Sequence, residues 1–279
     1  MMMMSCSPGL SRKLGGLSGG LLLACVVACG DDEGVKSLDD VYAELAGSGA
    51  TTDEDVTPSG EGNAGPASTC NLSASATSSL LFYLPLDGDT SSRAGRTSVR
   101  PGISGHELTF TESGRVGGGL VAGDGARLTL SPRLSLQDPL TVCAWVKTSS
   151  QSSETHVLVA PVPSGIVSFG ISAAQDPRCT SRGHVPYVAA LDGCADAELS
   201  LEAEAFTLVC WANTGGSTSI STNGRAWRST SISVSSGAGS EISEILVAMA
   251  DGGRGAIVDE LTVWSRVLTE GDLSSLHAS

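Results

Sequence analysis

One eight-residue stretch, Leu140-Thr-Val-Cys-Ala-Trp-Val-Lys147, constrains this chain more than any other. Seven of its residues are apolar, β-branched or aromatic, and no Gly or Pro interrupts it. Such a run is a strand signal with little helical periodicity. Alternation puts Leu140, Val142, Ala144 and Val146 on one face and Cys143 and Trp145 on the other. A strand apolar on both faces is expected in the middle of a sheet, covered on both sides. Phe206-Thr-Leu-Val-Cys-Trp-Ala212 has the same character. The pair reads as two strands of one sheet joined by a disulfide.

Length and charge narrow the class. The first seventy-odd of the 279 residues lack a globular pattern. About 200 remain, enough for one well-cored all-β domain. Gly, Ser and Thr are frequent and aromatics few, as suits a many-turned β protein. Residues 1–29 carry two bases and no acid, and residues 30–77 carry ten acids and one Lys. Residues 78–279 carry twenty acids against thirteen bases, a net of −7. An acidic domain without a basic stripe cannot replace the counterions around phosphates, so nucleic acid is not an expected partner.

Arg12 and Lys13 precede an apolar, small-residue run, Leu14 to Ala28, too short for a permanent membrane span. It ends in Val26-Val-Ala-Cys29, and Gly-Asp-Asp follows. An aliphatic residue at −3, a small one at −1 and then Cys resemble the lipobox of bacterial lipoproteins. The resemblance implies a signal peptide over residues 1–28 and a lipid on Cys29. Leu22-Leu-Ala-Cys25 also fits, but the acidic stretch starts directly after Cys29. Each buried acyl methylene adds about 0.8 kcal/mol, so several chains on one residue anchor firmly. Gly30, not Asp, follows the Cys. By the enterobacterial rule this implies a lipid-anchored place in the cell envelope, at the outer membrane rather than the inner. Residues 29–77 read as a disordered acidic tether, because they hold too few large apolar groups to offset chain entropy. Leu38–Leu45 is the exception and could form a short helix.

Residues 78–279 read as the folded domain. Leu80–Leu86 is a first strand, and short apolar runs then alternate with turn clusters as far as Ala256–Trp264. About a dozen such strands imply an all-β jelly-roll sandwich of two curved antiparallel sheets. Thr269 is placed to cap one short closing helix, Glu270–Leu276, with Asp272 in its first turn.

Five blocks occur in order: "LLFYLPLDGD", "GRVGGGLVAGDGARLTLSPRLSL", "PLTVCAWVK", "FTLVCWANTGGSTSISTNGRAW" and "GRGAIVDELTVWSRVLTEGDLSSL". Together they resemble a laminin-G-like domain of the concanavalin A-like lectin/glucanase superfamily, in its pentraxin-related branch, over roughly residues 78–277. The resemblance implies a sandwich with Asp259-Glu260 on its last strand. It also implies a binding partner that is a glycan or an extracellular protein.

Once Cys6 and Cys25 leave with the signal and Cys29 takes the lipid, five cysteines remain. An oxidising compartment favours bonded pairs. Pentraxin-related strands carry one disulfide, and Cys143 and Cys210 match its places. A second pair, Cys179–Cys194, would close a fifteen-residue loop and contribute roughly 3 kcal/mol. Cys70 is left odd. None of the five lies two to four residues from another, as a zinc site would ask.

Chemical motifs are sparse. Retaining hydrolases of this superfamily carry an E-x-D-x-x-E-like strand that aims two carboxylates to one face. The nearest matches, Glu202-Ala-Glu204 and Glu241-Ile-Ser-Glu244, are incomplete and read as solvated loop and edge charges. No catalytic residue is assigned, and the domain is expected to be a non-catalytic binder; the alternatives are a glycoside hydrolase or lyase of the same fold and a purely structural envelope protein. No cofactor is expected, though calcium stays open. At the pentraxin calcium position Asp251 stands alone beside Arg254, so that site reads as lost. Asp192, Asp196 and Glu198 form a weaker candidate set of hard oxygen ligands. Asp87, Asp124 and Asp259 read as carboxylates that cap turn amides.

Overall fold

In the computed structural model the Leu140–Lys147 stretch is strand β6, buried over its first seven residues. The structure describes residues 73–101, 107–162, 165–172, 183–190, 193–196, 200–230, 232, 241–250 and 255–279. Val142, Ala144 and Val146 enter the main core, and Cys143 and Trp145 enter a second core on the opposite face. β6 lies between β11 (Phe206–Asn213) and β15 (Ile257–Trp264). Both neighbours are antiparallel to it.

Two antiparallel sheets form the sandwich that the alternation predicts. Outward from β6, one sheet continues through β11 to β12 (Thr218–Thr222) and β13 (Arg228–Ser229). On the other side it continues through β15 to β4 (Gly119–Val121) and β3 (Thr109–Thr111). β15 shares its outer edge between two strands. Ile257 and Val258 pair with β4, and Leu261–Trp264 pair with β1 (Leu80–Leu84). The second sheet runs β10 (Gly193–Asp196), β9 (Pro186–Ala190), β8 (Gly165–Ile171), β7 (Thr155–Val162), β14 (Glu241–Ala250), β5 (Asp124–Ser135) and β2 (Ser98–Pro101). The main core between the sheets includes Trp211 and Phe169, whose ring centroids lie 6.4 Å apart. Burying an aliphatic or Phe side chain there contributes about 1.5–3 kcal/mol.

The second core covers the outer face of the first sheet. Helix α1 (Ala74–Ser79) and helix α2 (Glu270–Ala278) lay Ala76, Leu273 and Leu276 on Cys143, Trp145, Leu208, Cys210 and Trp264. Cys143 and Cys210 stand directly opposite in register, their Cα atoms 4.1 Å apart, and are disulfide-bonded. α2 starts on the expected cap: Thr269 and Asp272 exchange side-chain and backbone bonds in a capping box. Asp272 also accepts from the Ser73 amide at 3.3 Å and from the Arg266 guanidinium.

The structure differs from the sequence reading at three places. α1 begins inside the stretch read as tether, over residues 74–77, because the Ser73 hydroxyl caps it and Ala76 is fully buried. β2 and β10 are additional strands, too short and too mixed in polarity to signal themselves. β15 is not regular: a bulge against β6 falls between Asp259 and Thr262, and Glu260 takes a φ of 52°. An L residue in the left-handed region carries roughly 1–2 kcal/mol of strain.

Candidate functional site

A cleft of about 230 Å³ opens beside the β3–β4 hairpin. Its walls are Glu107–Thr109 leading into β3, Leu120–Gly125 running from β4 into β5, and Ala248 of β14. Glycine decides its shape. Gly123 donates its N–H to the Ala248 carbonyl at 3.0 Å and accepts from the Ala250 N–H at 2.6 Å. These bonds fasten the turn to the second sheet. A Cβ at Gly123 would meet nothing within 4 Å, so the residue leaves bare backbone at the cleft. Ala248 holds a φ of 52°, an outlier of the kind that concentrates at functional sites. The carboxylates of Glu107 and Asp124 are exposed at the walls, and the side chain of Leu120 is buried behind them.

The tip of the same hairpin, residues 112–118, rests on a carboxylate cluster. Asp259 Oδ2 accepts the Arg115 N–H at 2.6 Å and the Val116 N–H at 3.1 Å, and Oδ1 accepts the Glu260 N–H at 2.8 Å. Asp87 Oδ1 accepts the Gly118 N–H at 2.6 Å. Glu260 Oε2 accepts the Tyr83 hydroxyl at 2.7 Å. The backbone must come close to do this: a Cβ on Gly114 would fall 2.8 Å from Asp259 Oδ2 and 1.5 Å from the Gly118 carbonyl oxygen. The Arg115 guanidinium lies 4.7 Å over the Trp145 ring, and His277 of α2 stacks on the same ring at 5.7 Å.

Burial raises both neighbouring acids. Asp259 is pushed up to about 7 by loss of water, against the pull of its three amide donors, and the Asp87 charge adds to the rise. Glu260 is pushed up to about 8 by the same loss of water; the Asp259 and Asp87 charges add to it, and the Tyr83 hydroxyl and Arg93 oppose it. Perturbed acids of this kind mark candidate functional positions.

The Asp259 and Asp87 caps are where the sequence reading put them, on turn amides. Glu260 was overlooked. Its signal is two adjacent acids in the otherwise apolar Ile257–Trp264 run, where strict alternation would have sent one into the main core. The bulge lets Asp259 pair with Trp145 and Glu260 with Tyr83, both on the second-core side. Glu202, Glu204, Glu241 and Glu244 are not brought together into a site. Glu241 and Glu244 pair with Arg133 and Arg127 at the surface, and Glu204 lies 4.0 Å from Lys147.

Register also assembles a polar group that sequence distance concealed. His156 Nδ1 lies 2.7 Å from Ser168 Oγ and 2.6 Å from the Tyr187 hydroxyl, and all three residues are buried. Burial makes this a structural cluster of the second sheet.

Several expectations fall outside the described residues: the lipid site Cys29, the odd Cys70, the Cys179–Cys194 pair, Asp251 and Arg254, and the ligand set Asp192, Asp196 and Glu198. Of these, Cys194 and Asp196 have only their backbone described, within β10. Among the described residues, no group of three or more His, Cys, Asp or Glu is arranged to hold a metal ion.

A model of the concanavalin A-like lectin/glucanases superfamily matches residues 122–274. No curated protein sequence matches the chain. Among solved structures, the chain is similar to domain 4 of AbnA, a GH43 extracellular arabinanase from Geobacillus stearothermophilus, in complex with arabinotriose. That likeness has 17% identity and a TM-score of 0.51, over 71% of this chain and 98% of that one. Trypanosoma rangeli sialidase is similar at 15% identity and a TM-score of 0.54, over 86% of this chain. The match spans 38% of the sialidase.

These neighbours overturn one expectation. The domain was expected to lack catalysis because the E-x-D-x-x-E strand is incomplete. Solved structures similar to this chain include one domain of an arabinanase and 38% of the length of a sialidase. A motif missing from one branch therefore gives no ground to exclude enzymatic activity for the fold.

Proposed function

This chain belongs to the concanavalin A-like lectin/glucanases superfamily, and on that premise we propose that its β domain binds a glycan in the cleft beside the β3–β4 hairpin. The make-up of that cleft carries the reading. Two exposed carboxylates, Glu107 and Asp124, are acceptors suited to sugar hydroxyls. The bare backbone at Gly123 lets a ring edge approach, and the half-buried Leu108 and Val121 offer an apolar wall to its C–H face. The arabinotriose complex of the similarly folded arabinanase domain supports a glycan as the ligand class.

The test is a glycan array probed with the full chain, arabinotriose included, and with Gly123→Leu. A Cβ added there meets nothing within 4 Å, so the melting temperature should hold while binding is lost. A wild-type chain that binds no glycan, or a Gly123→Leu chain that binds as well as wild type, would defeat the proposal.

The same proposal places the domain on a membrane, held through a lipid on Cys29 and a long acidic tether. Its support is the Val26–Cys29 box and the composition of residues 29–77. Among the described residues, no helix is long and apolar enough to cross a membrane.

A further inference from the structure

We propose that the β3–β4 hairpin is a pH-sensitive wall of the cleft, held shut by the buried Asp259 beside Glu260 and loosened when these acids ionise. Three observations carry this. The hairpin supplies the cleft residues Thr109, Leu120 and Val121. Its tip is fastened at residues 115, 116 and 118 by two carboxylates, Asp259 and Asp87. Glu260, adjacent to Asp259, sits in strained backbone on the bulge.

The direction follows from water. With the tip seated, Asp259 has no exposed surface and Glu260 is half-buried. Lifting the tip returns Asp259 to water, where it ionises at an ordinary carboxylate value, and Glu260, bonded to Tyr83 of β1, is coupled to it through the Asp259 charge. Protonation therefore favours the seated hairpin, and a rise of pH towards 8 favours release. The charged and titratable groups facing the pair act on both sides. Asp87 from the turn after β1 repels, and Arg93 from the next segment attracts. Tyr83 on β1 donates to Glu260. Arg115 on the hairpin and His277 on α2 flank Trp145, the register partner of Asp259. The three amide donors of Asp259 oppose release but do not cancel the effect of burial.

That the hairpin gates a glycan rests on the reading of the cleft given above, whereas its motion does not. Amide hydrogen exchange of the full chain, corrected for intrinsic rates, reads the motion directly. Protection of residues 113–118 should fall by roughly tenfold or more between about pH 5 and about pH 8, while β6 and β11 hold theirs. Asp259→Asn should flatten this dependence. Because that variant removes an acceptor, Glu260→Gln serves as the milder arm and should reduce the slope. Protection independent of pH, an unchanged slope in both variants, or an equal fall across β6 and β11 would each overturn the proposal. A chain that binds no glycan on the array but shows the hairpin response would defeat the cleft reading and leave the hairpin standing.

Discussion

Asp259, Glu260 and Asp272 are all carboxylates in partly or fully dry surroundings, yet their protons respond in opposite directions. The first two keep water out with too few compensating donors, and their affinity for protons rises. Burial also raises Asp272, but hydrogen bonds from Ser73 and Thr269 outweigh it and hold the carboxyl below its ordinary value. The consequences for stability follow by linkage. The raised pair contributes stability that is complete below the ordinary carboxylate value near 4 and is lost as pH climbs through about 7 to 8. Glu260→Gln should therefore raise the melting temperature above wild type near pH 8 and leave it almost unchanged near pH 4.5, by calorimetry. Asp272 contributes stability above its unfolded value, lost as pH falls through its lower folded one. Asp272→Ala should cost about 1–3 kcal/mol at neutral pH, since it removes a cap and leaves Arg266 without its carboxylate partner. That cost should shrink in acid; a cost equal at about pH 2.5 and pH 7 would contradict the assignment.

At the scale of elements, the fold is organised by strands that are apolar on both faces. β6 and β11 were legible because each face has its own covering layer, the opposite sheet inside and the helices outside. The same pattern made the Cys143–Cys210 bond legible: both cysteines share a face with other members of the second core. Replacing both with Ala should destabilise the domain by roughly 2–5 kcal/mol, measured by denaturant titration under non-reducing conditions. A loss under about 1 kcal/mol would mean that β6–β11 packing alone fixes this region. Other elements were hidden for physical reasons. α1 is a Ser- and Ala-rich turn without periodicity, and its stability comes from a cap and one buried Ala. β2 buries a single side chain, Val99. The cleft depends on Gly123 meeting β14, a contact between residues more than 120 positions apart. The carboxylate latch needs the bulge at Glu260, and alternation alone does not announce an inserted residue.

At the scale of the whole molecule, the acidic domain and its tether are proposed to stand off a membrane from one lipidated cysteine. Cys29→Ala should leave the chain in the soluble fraction or as an unprocessed precursor. Normal processing and membrane retention of that variant, by fractionation and mass spectrometry, would refute the anchor. The disulfide has a further consequence at this scale. It joins residues 67 apart in sequence, and the segment between them contributes β7, β8, β9 and β10 to the second sheet. A protease that nicks the chain anywhere in that segment creates two fragments that remain one molecule. They should migrate together on a denaturing gel until reductant is added, so that a loop in this segment can be cleaved without parting the half of the domain that carries the hairpin from the half that carries Asp259 and Glu260.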